Sequence, residues 1–283
     1  MIGTLLIGLL VAGLTALIAL RTFDHWSDHA EMTRLIALQP HNPPVFRSEL
    51  IADLPDAAKR YFLFSIQEGT PLRTVVQLEM TGTFSLGDKS HPKYMQMRAK
   101  QVLAAHEGFV WKMTAQSGHL SISGSDSGSW TRFWLTNMMP VARSGGTADH
   151  ARSAFGRHVA EAVFWSPASL LPGPNVSWQP ISEDTSRVIV RKEGLVQAVD
   201  LRVAEDGQPV EVSFSRWSNA NPEGRFQEQP FGGMLSDFKE VQGFRLATHV
   251  EAGNAFGTKD YFPFYLADVT AISFPESPPL EAN

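Results

Sequence analysis

The chain of 283 residues carries a formal net charge of −5, and 43% of its residues are hydrophobic. It has no basic block and therefore no electrostatic footprint for nucleic acid, so we predict no nucleic-acid partner. Because the chain contains no cysteine, disulfide bonds, thiol catalysis and cysteine-ligated zinc are excluded.

The first element is an apolar run at residues 2–20, which Arg21 and Asp24 follow closely. As a helix this run is about 29 Å long, enough to cross the hydrocarbon core of a bilayer. No lysine or arginine precedes it and no typical cleavage site follows it, which favours an uncleaved anchor over a signal peptide. We therefore predict a transmembrane anchor at residues 1–22, single-pass in a bacterial inner membrane.

The side of the membrane on which the rest of the chain lies is open from charge alone. Arg21 and Arg34 follow the span, and no basic side chain precedes it. Read literally, the positive-inside rule places the following domain in the cytoplasm. The absence of cysteine fits either compartment.

Residues 23–46 are predicted to be a juxtamembrane helix followed by a proline-rich linker. The stretch 25–38 either extends the membrane helix or lies on the bilayer surface, and the prolines at 40, 43 and 44 stop the helix. Further along, Pro55 suits the first turn of a short helix that packs by its aromatic side chains Tyr61 and Phe62.

From residue 73 onward the apolar residues recur with period two, which is typical of half-buried strands. Val76, Leu78 and Met80, for example, alternate with Gln77 and Glu79. Turn signals separate the runs, and together they predict about ten antiparallel strands. We expect a single β-rich globular domain at residues 47–275, followed by a flexible tail at 276–283.

One helix is predicted to interrupt the strands, over residues 147–164. Phe155 and Val159 belong to its apolar stripe, while Arg157 and Glu161 are spaced to pair on its polar side. The fold class is therefore mainly β (α+β): a transmembrane helix and then a curved antiparallel sheet or incomplete barrel. One or two helices would pack on its concave face, where an apolar cavity could hold a small molecule.

Candidate catalytic residues are few. His158 and Glu161 lie one helical turn apart and could serve as an acid–base pair or as two metal ligands. Without a third ligand a structural pair is favoured. The serine-rich stretch at residues 124–128 is interpreted as a hairpin turn, because Asp126 stands where a nucleophile elbow needs serine. No glycine-rich phosphate loop occurs, so we predict neither a cofactor nor a metal.

Large aromatic side chains form the candidate ligand-binding set, although each of them could equally fill an ordinary core. The segment at residues 130–135 is apolar on both sides of a strand, so it is either enclosed or faces a ligand or membrane. Arg132 within it, or Arg98 and Glu79 on neighbouring strands, could contact a polar head group, and the alternative is a solvated sheet face. The predicted binding residues are Trp111, Trp130, Arg132, Trp134, Trp165, Trp217 and Tyr261.

Several motifs together resemble a large, uncharacterised bacterial family of membrane-anchored proteins. They are Leu54-Pro55 with Arg60-Tyr61-Phe62, Gly108-Phe109-Val110-Trp111, Trp165-x-Pro167-x-x-Leu170-Leu171-Pro172 and Asp260-Tyr261-Phe262-Pro263. The resemblance spans nearly the whole part after the anchor and implies no catalytic residues, because the family has no established activity. The strand meander is also similar to the half-barrel of periplasmic lipoprotein carriers, and that resemblance implies an acyl-chain site and an exported, periplasmic domain.

Three functional hypotheses follow. The first is a membrane-anchored, envelope-facing binding protein for a lipid or another apolar ligand. The second is a non-catalytic scaffold of an envelope complex, whose protein partners the sequence does not identify. The third is an enzyme that uses His158 and Glu161 as its acid–base pair.

Overall fold

The computed structural model describes residues 2–276. It contains three α-helices, with short 3-10 helices at Ser48–Ile51 and Pro167–Leu170. The helices are α1 (Ile2–Ile36), α2 (Asp56–Ser65) and α3 (Ala148–Trp165). The predicted tail at 276–283 lies outside the described residues apart from Glu276.

The strands form one antiparallel sheet. They are β1 (Val75–Ser85), β2 (Tyr94–Ala104), β3 (Gly108–Ser117), β4 (Leu120–Ser127), β5 (Trp130–Leu135), β6 (Met139–Gly145), β7 (Val176–Pro180), β8 (Thr185–Lys192), β9 (Leu195–Val203), β10 (Pro209–Ser218), β11 (Gln227–Val241), β12 (Phe244–Asn254) and β13 (Phe262–Ser273). Their spatial order is β6-β5-β4-β3-β2-β1-β13-β12-β11-β10-β9-β8-β7. Two meanders of consecutive strands are therefore joined where β1 pairs with β13.

The sheet curls around α3. The guanidinium of Arg157 lies 4.5 Å from the ring centre of Phe109 on β3. At the preceding residue, Gly156, a Cβ atom would lie 2.6 Å from Gln197 Oε1 on β9. These two strands are seven places apart in the sheet, which is about 33 Å in a flat sheet, whereas a helix is about 10–12 Å wide. One helix can reach both strands only because the sheet is strongly curved, and glycine lets it approach closely.

The predicted class, a mainly β fold with an antiparallel sheet, is confirmed, but the predicted number of about ten strands is wrong, since residues 2–276 form thirteen. Sequence patterning misses strands such as β4, β6 and β11, which are rich in serine, glycine or proline. The stretch at 124–128 is therefore not a hairpin turn, because Gly124 to Ser127 belong to β4. Pairing with both neighbouring strands holds such segments extended despite their weak intrinsic preference.

The two faces of the sheet pack against different helices. On β3, Phe109 and Trp111 point into the large core that α2 and α3 cover. Val110, which lies between them, belongs to a small cluster on the outer face around Leu35 of α1. This alternation is the period-two pattern that the sequence predicts, but here both faces of the strand are buried.

Helix α1 runs without a break from the apolar run to Ile36, so the stretch after the run extends the helix. Its first part is exposed along its whole length and is long and apolar enough to cross a membrane. The predicted linker is fixed at its start, because the side chain of Gln39 is buried against β1. Its Nε2 donates to Val75 O at 3.0 Å, and its Oε1 accepts from Thr74 N at 3.0 Å.

Helix α3 agrees closely with the sequence prediction. Thr147 caps its first turn by accepting a hydrogen bond from His150 N at 3.1 Å. The helix ends at Trp165, two residues before Pro167, which cannot continue it.

Candidate functional site

A cavity of about 230 Å³ lies between α3 and the inner face of the sheet. The lining is mainly apolar and comes from α3 and from strands of both meanders. The lining includes Phe84, Trp111, Asp126, Arg157, Ala160, Glu161, Trp165, Phe214, Arg216, Phe231, Gly232, Gly233, Phe264 and Tyr265.

Four phenylalanine rings form a continuous wall at one end of this cavity. Phe84 meets Phe264 at 5.8 Å between ring centres, and Phe264 meets Phe231 at 6.1 Å. Phe231 in turn lies 5.5 Å from Phe214. Beside this wall, Gly232 and Gly233 contribute lining without side chains. The result is an aromatic, weakly polar surface that suits an acyl chain or a ring.

A charged cluster also lines the cavity. Arg157 Nε binds Glu161 Oε1 and its Nη1 binds Asp126 Oδ2, both at 2.7 Å. Gln101 Nε2 donates to the second oxygen of Glu161 at 2.5 Å. Although burial opposes it, the charges of Glu161 and Asp126 raise the pKa of Arg157, which is therefore firmly cationic. These three charges neutralise one another only in part, since two carboxylates face one guanidinium.

Arg216 supplies a second guanidinium, which lies 4.7 Å from the ring centre of Phe231. Within residues 2–276, its buried Nε meets no hydrogen-bond acceptor. Burial, together with the nearby charge of Arg157, lowers the pKa of Arg216 to about 10. The group is still charged at neutral pH, so the cavity wall presents a cationic donor whose Nε is free.

Tyr265 and Trp111 complete the polar part of the lining. Tyr265 donates its hydroxyl hydrogen to Met80 Sδ at 2.8 Å, and burial raises the pKa of this hydroxyl. Trp111 Nε1 is buried without an acceptor in hydrogen-bond geometry among the described residues. Chemically, the site can exclude water, hold an apolar group and donate hydrogen bonds to an acceptor on it.

Two of the predicted ligand-binding residues, Trp111 and Trp165, line this cavity. Trp165 Nε1 donates to Ala247 O at 3.1 Å, so its ring is also part of the core. Tyr261 packs edge-on against Phe256 at 5.0 Å, and burial raises its pKa to about 12. Trp217 lies near the start of α3, where its Nε1 donates to Asp149 Oδ1 at 2.8 Å.

Trp130, Arg132 and Trp134 point to the outer face, where Arg132 and Trp134 contact α1. Arg132 lies over the ring of Trp130 at 4.1 Å and binds Asp28 Oδ1 at 2.8 Å. The buried Trp134 Nε1 donates to Asp24 Oδ2 at 2.8 Å. The segment at 130–135 therefore has α1 against one face, while Thr131 and Phe133 on the other face line the cavity.

The contact between α1 and the sheet is an ionic cluster in which every member except the half-exposed Arg143 is buried, and which we call the α1 clamp: Asp24, Asp28, Arg132, Arg143 and Trp134. Asp24 Oδ2 binds Arg143 Nη1 at 2.7 Å, and Asp24 Oδ1 lies 3.2 Å from Arg132 Nη1. Asp24 and Asp28 are only 2% and 3% exposed. The hydrogen bonds that Arg143 donates to the Asp24 carboxylate raise the pKa of Arg143. Ion pairs this well enclosed hold the helix in one position.

His158 and Glu161 face different surroundings. Glu161 is held by Arg157 in the cavity wall, whereas His158 packs edge-on against Phe155 at 5.1 Å and Phe109 at 6.3 Å. Burial, reinforced by the charges of His106 and Lys192, lowers the pKa of His158 to about 3. The residue is therefore neutral at pH 7. Across residues 2–276, no group of three or more His, Asp or Glu side chains is arranged to hold a metal ion.

Sequence reasoning missed Arg216, Asp126 and the phenylalanine wall as parts of one site. These residues come from β10, β4, β1, β11 and β13, and no spacing in the sequence relates them. The one local signal was the pairing of Arg157 with Glu161, which the structure bears out. Arg98 and Glu79, considered for a head group, lie on the outer face.

Comparison with known proteins gives a family without an assigned role. The model of a family of unknown function, DUF6544, matches residues 44–266. No curated protein matches the chain. A LolA superfamily protein from Nitrosomonas europaea is similar in structure, with a TM-score of 0.39 and 11% identity, over 78% of this chain and 93% of that one. A DUF1329 family protein from Desulfovibrio piger has a TM-score of 0.38 and 8% identity, over 77% and 90% of the two chains.

Proposed function

We propose that this chain, which belongs to the family of unknown function DUF6544, is a membrane-tethered binding protein for a lipid or a similar apolar ligand. The observation that carries the proposal is the cavity between α3 and the curved sheet. The predicted resemblance to an uncharacterised family is confirmed by the family match, and it brings no catalytic residues with it.

The size and lining of the cavity favour one apolar chain or ring. A buried apolar cavity of about 150 Å³ is enough to bind benzene, whereas pockets for drug-sized ligands are about 300–1,000 Å³. At about 230 Å³, the cavity suits a segment of an acyl chain. Phe84, Phe231 and Phe264 would contact such a chain along its length.

The free Nε of Arg216 favours a ligand that carries an acidic group beside its apolar chain. A buried N–H donor without an acceptor is costly, and an acidic group supplied by the ligand would accept its hydrogen bond and relieve that cost. We therefore favour an amphiphile with an anionic group, such as a fatty acid. Arg157 is less suited to this role because Glu161 and Asp126 already hold it.

The apolar part of α1 supports a tether. It is long enough to cross a bilayer, and the chain after it would lie on the outer, periplasmic side of a bacterial inner membrane if the exported topology implied by the carrier resemblance applies. This location would put the cavity in contact with envelope lipids.

The test is binding by the full chain in nanodiscs of phosphatidylcholine. A polyene fatty acid that fluoresces in apolar surroundings should bind to the wild type, and native mass spectrometry should show bound lipid. Ala160→Phe fills the cavity from α3 and should weaken binding at least tenfold, whereas Ala148→Phe, at an exposed site on the same helix, should not. A native mass spectrum of the protein without bound lipid, together with no uptake of the fluorescent fatty acid, would contradict the proposal.

A further inference from the structure

Helix α1 crosses the outer face of the sheet from one set of strand ends to the other. Leu35, near its end, packs on Val75 and Val110. At the opposite side, Arg21 Nη2 donates to Ser123 Oγ at 2.8 Å and to Asn137 Oδ1 at 3.0 Å. Residues 2–20 therefore leave the domain beside the β5–β6 turn that contains Asn137.

The position of the domain relative to the apolar helix is fixed. The helix is unbroken between residue 20 and Asp24, and the α1 clamp holds it within one turn of Arg21. Breaking a buried ion pair such as that between Asp24 and Arg132 is strongly unfavourable, so α1 stays held against the sheet in the folded protein. No flexible linker separates the apolar run from the sheet.

The fixed contact between α1 and the sheet places one edge of the sheet at the level of the membrane surface. The apolar run ends one residue before Arg21, and Arg21 contacts the β5–β6 turn. Headgroups occupy a layer of about 5–7 Å on each side of the hydrocarbon core. The β5–β6 turn and the neighbouring β3–β4 turn therefore lie in or next to that layer. We call these two turns, residues 117–120 and 136–139, the Arg21 edge.

The side chains at the Arg21 edge are those expected in contact with lipid. Leu120 is 55% exposed, Met138 67% and Met139 59%. On α1 itself, Phe23 and Trp26 are exposed within two turns after the apolar run, where interfacial aromatic residues typically lie. Apolar side chains this exposed at turns are unfavourable in water and favourable in the bilayer interface.

We propose that the Arg21 edge inserts into the headgroup layer of the bilayer, with Leu120, Met138 and Met139 in contact with lipid. The partner is the membrane that holds α1, and no second protein is required. Phe84 and Phe264 lie at strand ends on the same side, since Phe84 pairs with Tyr265 and the following Ser85 pairs with Tyr94 at the start of β2. If the proposed function holds, the aromatic end of the cavity therefore faces the bilayer, and the ligand enters from it.

The absence of cysteine makes a direct test simple. Leu120→Cys and Met138→Cys report on the Arg21 edge, and Ser129→Cys is the matched control in the exposed β4–β5 turn. Ser129 lies beyond the other end of β4, about 23 Å or more from Leu120 along the strand. Each full-length variant is labelled with an environment-sensitive fluorophore and reconstituted in phosphatidylcholine vesicles that contain nitroxide-labelled lipids.

We expect blue-shifted emission and at least twofold quenching by the nitroxide lipids at 120 and 138, and water-like emission without quenching at 129. Equal access of aqueous iodide to all three labels would overturn the inference. Met139→Cys gives a second reporter on the β5–β6 turn if Met138→Cys does not fold. This readout involves no ligand, so a negative result would not contradict ligand binding in the cavity. Likewise, a failure to take up ligand would not contradict insertion of the Arg21 edge into the headgroup layer.

Discussion

The buried histidine of α3 gives the most quantitative test of the structure. His158 is 5% exposed, both of its ring nitrogens lack hydrogen-bond partners within residues 2–276, and its pKa is lowered to about 3. In the unfolded chain its pKa is near 6.5. Below pH 6.5 the unfolded state therefore binds a proton that the folded state refuses, and stability falls as the pH falls toward 3.

The size of the effect follows from the two pKa values. At pH 7 the His158 side chain is mostly neutral in both the unfolded and the folded state. At pH 5 it is mostly protonated in the unfolded state and still neutral in the folded state. The linkage relation then gives a loss of about 2 kcal/mol between pH 7 and pH 5 from this residue alone. His158→Leu has a similar volume, loses no hydrogen bond and cannot titrate, so it should lack this loss.

The assay is urea unfolding of the full chain in a non-ionic detergent, followed by tryptophan fluorescence at pH 7 and pH 5. The wild type should lose about 2 kcal/mol more than His158→Leu over this interval. His119→Leu, at an exposed turn, should retain the wild-type pH dependence. If wild type and His158→Leu lose the same stability between pH 7 and pH 5, the His158 side chain is not buried in its neutral form.

Three further predictions concern the two ionic clusters and the cavity. Asp24→Ala removes the central carboxylate of the α1 clamp and should lower the free energy of unfolding by about 3–5 kcal/mol in the same urea titration. The control Glu31→Ala breaks an exposed ion pair on the same helix and should lower the free energy of unfolding by less than about 1 kcal/mol. Glu161→Gln weakens the interaction with the Arg157 guanidinium and should lower the free energy of unfolding by about 1–3 kcal/mol. Unchanged stability together with complete loss of a cellular function would instead favour a catalytic role for Glu161. Arg216→Met should leave the melting temperature unchanged or raise it. The same variant should weaken the binding of a fatty acid at least tenfold more than the binding of the matching fatty alcohol. Equal weakening of both ligands would contradict contact between Arg216 and the ligand head group.

Elements with a local signature could be predicted from the sequence. The apolar run, helix α3 with its Thr147 cap, and the strands with regular alternation all appear where the pattern places them. Strand β4 could not be predicted, because Ser125 and Asp126 have a weak preference for extended structure. Their side chains point to opposite faces, where Ser125 donates to Asp28 and Asp126 binds Arg157. Contacts far apart in sequence thus hold the strand in place.

The candidate site was predictable only in part. Trp111 and Trp165 were identified by size alone, and size does not distinguish a core residue from a lining residue. Trp134 was chosen by the same argument and lies in the α1 clamp instead. Which face a strand residue occupies follows from register and from what covers that face, and neither is encoded locally.

The helix that could cross a membrane, the antiparallel β class and the Arg157–Glu161 pair can be read from local sequence patterns, because each depends on residues within a few positions of one another. The burial of Asp24 and the place of Arg216 in a cavity wall arise only when the chain folds. Asp24 meets Arg143 from 119 residues away, and the curved sheet brings β10 to the cavity lined by β3. Such meetings depend on how the strands curl and pair, which is a property of the whole sheet.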